Sequence, residues 1–202
     1  MDRKSSETSG EVNMAFISRK FLEEKSSSGL RKYASRFKYS LSIFLSHSHK
    51  DKELVRGFKS ILQYYYADIY IDWEDGTLPD EPNKETAERI KERIKKSDLF
   101  ILLATDNALS STWCSWEIGI ADCIKGYEYI LIVPVTDDSG NFRGNEYLQI
   151  YKRIEIVQLP YLEIFVLEPS LRKYVETLSK DEIESQVETL EDFLKRNTKK
   201  SW

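Results

Sequence analysis

Between residues 39 and 135 the sequence alternates, roughly every 25 to 30 residues, between a short β-prone apolar run and a stretch with helical period. This rhythm constrains the fold more than any other feature. Parallel strands can be joined only by long crossovers, and right-handed crossovers lay their helices over both faces of one sheet. The runs cover residues 39–46, 68–73, 98–104 and 129–135, with a shorter candidate at 154–159. Residues 98–104 are almost continuously apolar, as a strand covered on both sides must be. Between the runs, Leu54, Val55, Phe58, Ile61 and Leu62 recur at three- and four-residue steps behind Asp51, a plausible N-cap. Ala87, Ile90 and Ile94 mark one face of a charged helix over 84–96, and residues 110–126 read as the next helix. A last helix is expected over 181–196, with Ile183, Val187, Leu190 and Leu194 at helical spacing. The expectation is a small doubly wound α/β domain with a parallel sheet. Ligands of such sheets sit beyond the carboxyl ends of the strands. The loops 46–51, 73–83 and 105–117 are therefore where a site is expected.

Composition narrows the function. The chain has 202 residues, 30 Lys plus Arg against 34 Asp plus Glu, and a net charge of −4, which argues against nucleic acid as the main partner. The charge is uneven: residues 1–40 hold nine basic and five acidic residues, while 41–202 hold 21 and 29. Residues 1–38 read as a basic, partly disordered N-terminal extension, with 15–39 at most a weak helical lead-in. Residues 39–165 read as the domain, and 166–202 as a C-terminal helical extension packed on it. Cys114 and Cys123 lie nine residues apart in one expected helix, about 13 Å along its axis, too far for a disulfide. Free thiols suit a reducing compartment. No apolar run approaches the roughly 18 residues that span a bilayer, and residues 1–13 lack the apolar core of a secretory signal. A cytoplasmic protein with no membrane partner is expected.

The strand-end loops exclude several chemistries. None of the eight glycines follows the first strand, so neither a P-loop nor a dinucleotide fingerprint is present. The same position lacks the carboxylate pair that a phospho-receiver domain needs. His47, His49 and Asp51 match the His-x-His-x-Asp spacing of binuclear metallohydrolases, but such sites draw on further histidines and this chain has only two. No metal and no bound cofactor are expected. The third loop says more. Ser110 or Ser111 can cap the helix that follows, which puts Trp113 and Glu117 at i and i+4 on one face. A carboxylate beside a flat apolar ring could serve a ligand. Equally, Glu117 could complement the helix dipole while Trp113 fills core.

Four segments, Ile43-Phe44-Leu45-Ser46-His47-Ser48, Tyr70-Ile71-Asp72-Trp73-Glu74-Asp75, Ser97-Asp98-Leu99-Phe100-Ile101-Leu102-Leu103 and Leu109-Ser110-Ser111-Thr112-Trp113-Cys114-Ser115-Trp116-Glu117, follow one another in an order that resembles the TIR (Toll/interleukin-1 receptor) domain of the bacterial or plant kind. The resemblance covers roughly residues 39–165. It implies a flavodoxin-like, doubly wound, five-stranded parallel sheet with helices on both faces and, in the catalytic branch, cleavage of the nicotinamide-ribose bond of NAD. It places Glu117 at the position of the family's catalytic glutamate, four residues after Trp113. Trp113 would stack on a ring of the ligand, and Ser46, His47, Ser48, Trp73 and Glu74 would line the ribose and phosphate path. NAD is then the substrate, and the product is ADP-ribose or a cyclic ADP-ribose signal. The resemblance further implies self-association with other TIR protomers through the loop from Trp73 to Asn83. A stand-alone protein of this kind resembles the signal producers of Thoeris antiphage systems, whose product a separate effector senses. One departure concerns that loop, where Asp80-Glu81-Pro82-Asn83 replaces the usual glycine before the helix and Gly76 comes early. Two other readings stay open: a non-catalytic TIR adaptor acting by homotypic docking, and a nucleoside deoxyribosyltransferase-like enzyme with a nucleophilic glutamate.

Overall fold

A computed structural model describes residues 14–27, 41–65, 67–76, 83–158, 162–174, 177 and 180–197. Two short strands, β1 (Met14–Ala15) and β2 (Ile17–Ser18), precede α1 (Arg19–Ser27). The repeating core follows as β3 (Leu41–Ser46), α2 (Lys52–Tyr64), β4 (Ala67–Tyr70), α3 (Lys84–Lys96), β5 (Leu99–Ala104), the one-turn α4 (Asp106–Leu109), α5 (Thr112–Lys125) and β6 (Ile130–Thr136). The chain then adds β7 (Lys152–Gln158), β8 (Leu162–Leu167), α6 (Lys180–Gln186), β9 (Glu188–Thr189) and α7 (Leu190–Asn197).

Strands β4-β3-β5-β6-β7 are neighbours in that order and all run parallel, the doubly wound arrangement read from the sequence. Four further strands bring the described sheet to nine. Strand β8, absent from the sequence reading, folds back antiparallel on β7 from Gln158↔Leu162 to Arg153↔Leu167. The β6 and β7 strands pair only at Leu131↔Lys152 and Ile132↔Arg153. Beyond that point β2 pairs with β6 (Ile17↔Val135) and β1 with β7 (Met14↔Val157). The N-terminal segment thus occupies the space where β6 and β7 part, and it supplies partners to backbone groups that burial would otherwise leave unsatisfied. Residues 15–39 were expected to form at most a weak helical lead-in. That helix is present as α1, but β1 and β2 ahead of it join the sheet, and Ile17 and Leu22 are fully buried. The disorder expected of residues 1–13 lies outside the described residues.

The period of two in each strand divides the core into two layers. Leu41, Ile43 and Leu45 of β3, with Leu99, Ile101 and Leu103 of β5, face α1, α2 and α7. Phe44, Phe100 and Leu102 face α3 and α5, through Ile90, Ile94, Ile118 and Ala121. Helix starts follow their side chains: Asn83 and Thr86 form a reciprocal capping box on α3, and Ser111 accepts from the Cys114 N–H at α5. Gly126, at φ 77, ends α5 in a conformation that favours glycine. The single helix expected over 181–196 is instead two. Glu188 and Thr189 pair with β8, which removes them from any helical ladder, and the Thr189 hydroxyl accepts from the Asp192 N–H to start α7.

Both cysteines are free. Burial pushes the Cys114 thiol up to about 11, and its Sγ–H donates to the His47 carbonyl at 3.2 Å. Cys123 is exposed. Since the thiolate is the nucleophile, a maleimide at neutral pH should label one thiol per native chain, Cys123, and a second only after denaturation. Peptide mapping that found Cys114 labelled in the native protein would contradict this packing.

Candidate active site

Alternation along β3 puts Ser46 on the same face as Phe44, under α5. Helix α5 buries the stripe Cys114, Glu117, Ile118 and Ala121, spaced as an apolar helix face should be. Glu117 therefore sits where an aliphatic residue would ordinarily pack, and it is only 3% exposed. Its Oε2 accepts a hydrogen bond from the Ser46 Oγ–H at 2.6 Å. Burial pushes the Glu117 carboxyl up to about 8, against the opposing effect of the Ser46 hydroxyl. An acid with its proton equilibrium this near neutrality can take up or release a proton at neutral pH.

Beside it lies a second polar cluster built from two loops. His47 follows β3, and its Nδ1–H donates to the Leu45 carbonyl at 2.7 Å. Its Nε2 lies 3.3 Å from Oδ1 of Asp72, in the turn after β4. The Nε2 of His49 lies 2.6 Å from Oδ2 of the same carboxylate. Burial alone would raise Asp72. The nearby imidazoles of His47 and His49 outweigh it and hold the carboxyl well below the usual range. The Asp72 bond in turn raises His49. Trp73 packs edge-on against His47 at 4.3 Å between ring centroids, with 83° between the planes.

The other expected site residues are more dispersed. The Ser48 side chain caps the turn at His49–Asp51, accepting from the Lys50 N–H at 3.3 Å. Glu74 pairs with Lys59 of α2 at 2.6 Å. Trp113 is half-buried and stacks on Trp116 at 5.0 Å, within the layer that joins α3 to α5. Asp51 stands at the N-cap of α2 but makes no side-chain cap bond. It accepts instead from Thr105 Oγ1 at 2.5 Å and Asn107 Nδ2 at 2.7 Å, with Arg19 at 3.9 Å. That network ties the ends of β3 and β5 to α1. Sequence reasoning missed it, and missed Asp72 and Cys114 as neighbours of the site. Asp72 did lie inside a quoted segment. Its signal was an acidic residue at the carboxyl end of a strand. Of the loop from Trp73 to Asn83 through which self-association is implied, residues 77–82 lie outside the described residues.

The raised Glu117 predicts a pH dependence of stability. The carboxyl keeps its proton in the folded chain up to about 8 but loses it near 4.5 when unfolded. Across that window the folded state binds more protons, so stability falls as pH rises and levels off above about 8. His49, raised by Asp72, acts in the same direction above 6.5. Asp72, held low, loses its contribution only as pH falls through 3.8 and below. Urea midpoints at about pH 5, 6.5 and 8 should decline in the wild type and decline less in Glu117→Gln. Parallel curves for the two proteins would overturn the assignment.

Among known families, the TIR domain matches residues 43–160, more than half of the chain. The sequence is 34% identical over 113 residues to a Bacillus cereus protein provisionally named 3' cyclic ADP-D-ribose synthase ThsB', covering 54% of this chain and 58% of that one. It is 29% identical over 79 residues to a Cytobacillus dafuensis protein provisionally named cyclic ADP-D-ribose synthase TIR2, covering 38% of this chain and 21% of that one. The matched regions thus span somewhat over half of one relative and about a fifth of the other. Among the described residues no helix is long and apolar enough to cross a membrane.

Proposed function

The chain belongs to the TIR domain family, and from that premise we propose that it cleaves the nicotinamide-ribose bond of NAD and releases nicotinamide with ADP-ribose or a cyclic ADP-ribose, as a signal producer in bacterial antiphage defence. The observation that carries this reading is the buried Glu117 on Ser46, a carboxyl at a strand end with its proton equilibrium near neutrality. The names of the two relatives point to the same product class, a cyclic ADP-ribose.

The chemistry asks little of the protein. The carbon-nitrogen bond breaks with its electron pair going to the nicotinamide nitrogen, which leaves neutral from a cationic ring, so no strong acid is required. Positive charge develops on the ribose. A carboxylate held against it stabilises that charge, as glycosidase carboxylates do for their oxocarbenium-like transition states. Glu117 supplies this group. A nearby positive charge favours an ionised carboxyl, so the cationic substrate itself draws the proton off Glu117. The Ser46 hydroxyl then steadies the anion. Water completes the reaction to ADP-ribose, and a nucleophile within ADP-ribose itself completes it to a cyclic product.

Glu117 is almost fully covered, so a resting chain has to uncover it. Self-association through the loop after β4 would do so by moving that loop together with the His47-Asp72-Trp73 cluster at its base. The test is nicotinamide release from NAD at increasing protein concentration, with the products resolved by mass spectrometry. We expect the rate per chain to rise with concentration. No nicotinamide at any concentration, assemblies included, would sink the proposal and favour the docking adaptor.

A further inference from the structure

We propose that His47, His49 and Asp72 form a binding site for a divalent transition-metal ion of the zinc class. The chain's only two histidines leave β3 two residues apart and converge on one carboxylate from the loop after β4. One ligand atom from each of the three residues lies within 4.8 Å of the other two. Bonds of 2.0–2.1 Å to a tetrahedral ion place neighbouring ligand atoms about 3.4 Å apart. His47 Nε2 and Asp72 Oδ1, at 3.3 Å, already have that spacing. The remaining adjustment falls to His49, whose side chain is 64% exposed and can turn without disturbing the core.

The state of His47 is the independent observation. Its side chain is only 2% exposed, and its Nδ1–H is committed to the Leu45 carbonyl. Nε2 is thereby left buried, without a hydrogen-bond partner, and directed at the cluster. The nearby Asp72 oxygen is close to it but out of line for a hydrogen bond. An unsatisfied buried nitrogen is costly, and a bound ion removes that cost. A metal-ligating histidine typically holds its other ring N–H on a backbone carbonyl or carboxylate, which fixes the ring and its tautomer. His47 has that arrangement before any ion arrives. The sequence pattern His-x-His-x-Asp pointed toward this place but to the wrong carboxylate, since Asp51 is engaged by Thr105 and Asn107. The tertiary fold supplies Asp72 in its stead. Two imidazoles and one carboxylate suit zinc, cobalt or nickel rather than magnesium or calcium. Three protein ligands leave a fourth position for water. Asp72 favours a cation here electrostatically, and Lys52 opposes it. Occupation would cross-link the loops after β3 and β4 beside the Ser46–Glu117 pair.

The test needs no substrate, so it stands or falls apart from NAD cleavage. The full chain, stripped with a chelator, is titrated with Co²⁺ and followed by its visible d–d absorption, and Zn²⁺ is then added in competition. We expect one ion per chain, displacement by Zn²⁺, no effect of Mg²⁺, and a thermal midpoint that rises with Zn²⁺. His49→Ala and Asp72→Asn should each weaken binding by about tenfold or more and remove the thermal shift, with unchanged circular dichroism. Cys123→Ser should bind like the wild type. Absence of stoichiometric binding, binding undiminished in His49→Ala, or binding lost in Cys123→Ser would overturn the site.

Discussion

Glu117→Gln will reduce nicotinamide release from NAD by about 10²–10³-fold or more, the range seen when a group aimed at developing transition-state charge is removed, and will do so without loss of fold. The amide has the shape of the carboxyl and can still accept from Ser46 Oγ, so the packing beneath α5 stays as it is. What disappears is the ability to carry negative charge against the ribose. The amide also cannot ionise in its buried site, so above about pH 7 the variant should be as stable as the wild type or more so. Loss of activity in a protein of equal or greater stability separates chemistry from structure. Glu117→Ala should be equally inactive but less stable, because it leaves a cavity and a Ser46 hydroxyl without its partner. Retention of wild-type turnover in Glu117→Gln would remove the carboxylate from the mechanism.

The largest effect on stability should come from Gly57→Ala, far from that chemistry. Gly57 lies on the buried face of α2, where α1 crosses it. A Cβ built there would stand 1.9 Å from the carbonyl oxygen of Leu22 and 2.7 Å from its carbonyl carbon. The obstructing atoms are backbone, so no rotamer change relieves the contact and α1 has to shift. Leu22 is fully buried, and the shift drags it out of the core together with β2 behind it. Overpacking of this kind costs about 1–3 kcal/mol, and in a domain of this size that lowers Tm by roughly 2–12 °C. Gly119 in α5 is the natural control. It is exposed and has nothing within 4 Å of a built Cβ, so Gly119→Ala should stabilise by about 0.5–1 kcal/mol through helix propensity. Equal effects at the two positions, read by calorimetry, would show that α1 does not pack on α2 in this way.

Much of the fold was legible because its signals are local. The run 98–104 became β5, buried along its whole length, since a strand covered on both faces has no reason to alternate. The charged helix over 84–96 has the same ends in the structure as in the sequence reading, because Asn83 and Thr86 mark its start and the basic last turn its end. The short strands were less visible. Strands β1, β2 and β9 have two residues each, and nothing in two residues announces a strand. They exist because β6 and β7 part and because β8 presents an open edge, and both are facts about distant segments. The site divides the same way. Ser46, Glu117 and His47 were named through the family resemblance, and the fold brings Ser46 and Glu117 into contact, with His47 next along the chain. Glu74 and Trp113 were named on the same grounds, yet Glu74 pairs with Lys59 and Trp113 stacks on Trp116.

By itself the sequence determined the doubly wound class, the strand ends where a site could form, the free thiols and the absence of phosphate-cradling loops, since all of these follow from period, spacing and residue type along one stretch of chain. Only the tertiary structure decided that Glu117 is buried and holds its proton toward pH 8, that Asp72 rather than Asp51 answers the two histidines, and that the segment from Met14 to Ser27 is part of the core. The reason is physical. Proton affinity and hydrogen-bond partnership depend on the solvent and charges around a group, and those are set by residues tens of positions away that become neighbours only when the sheet has formed.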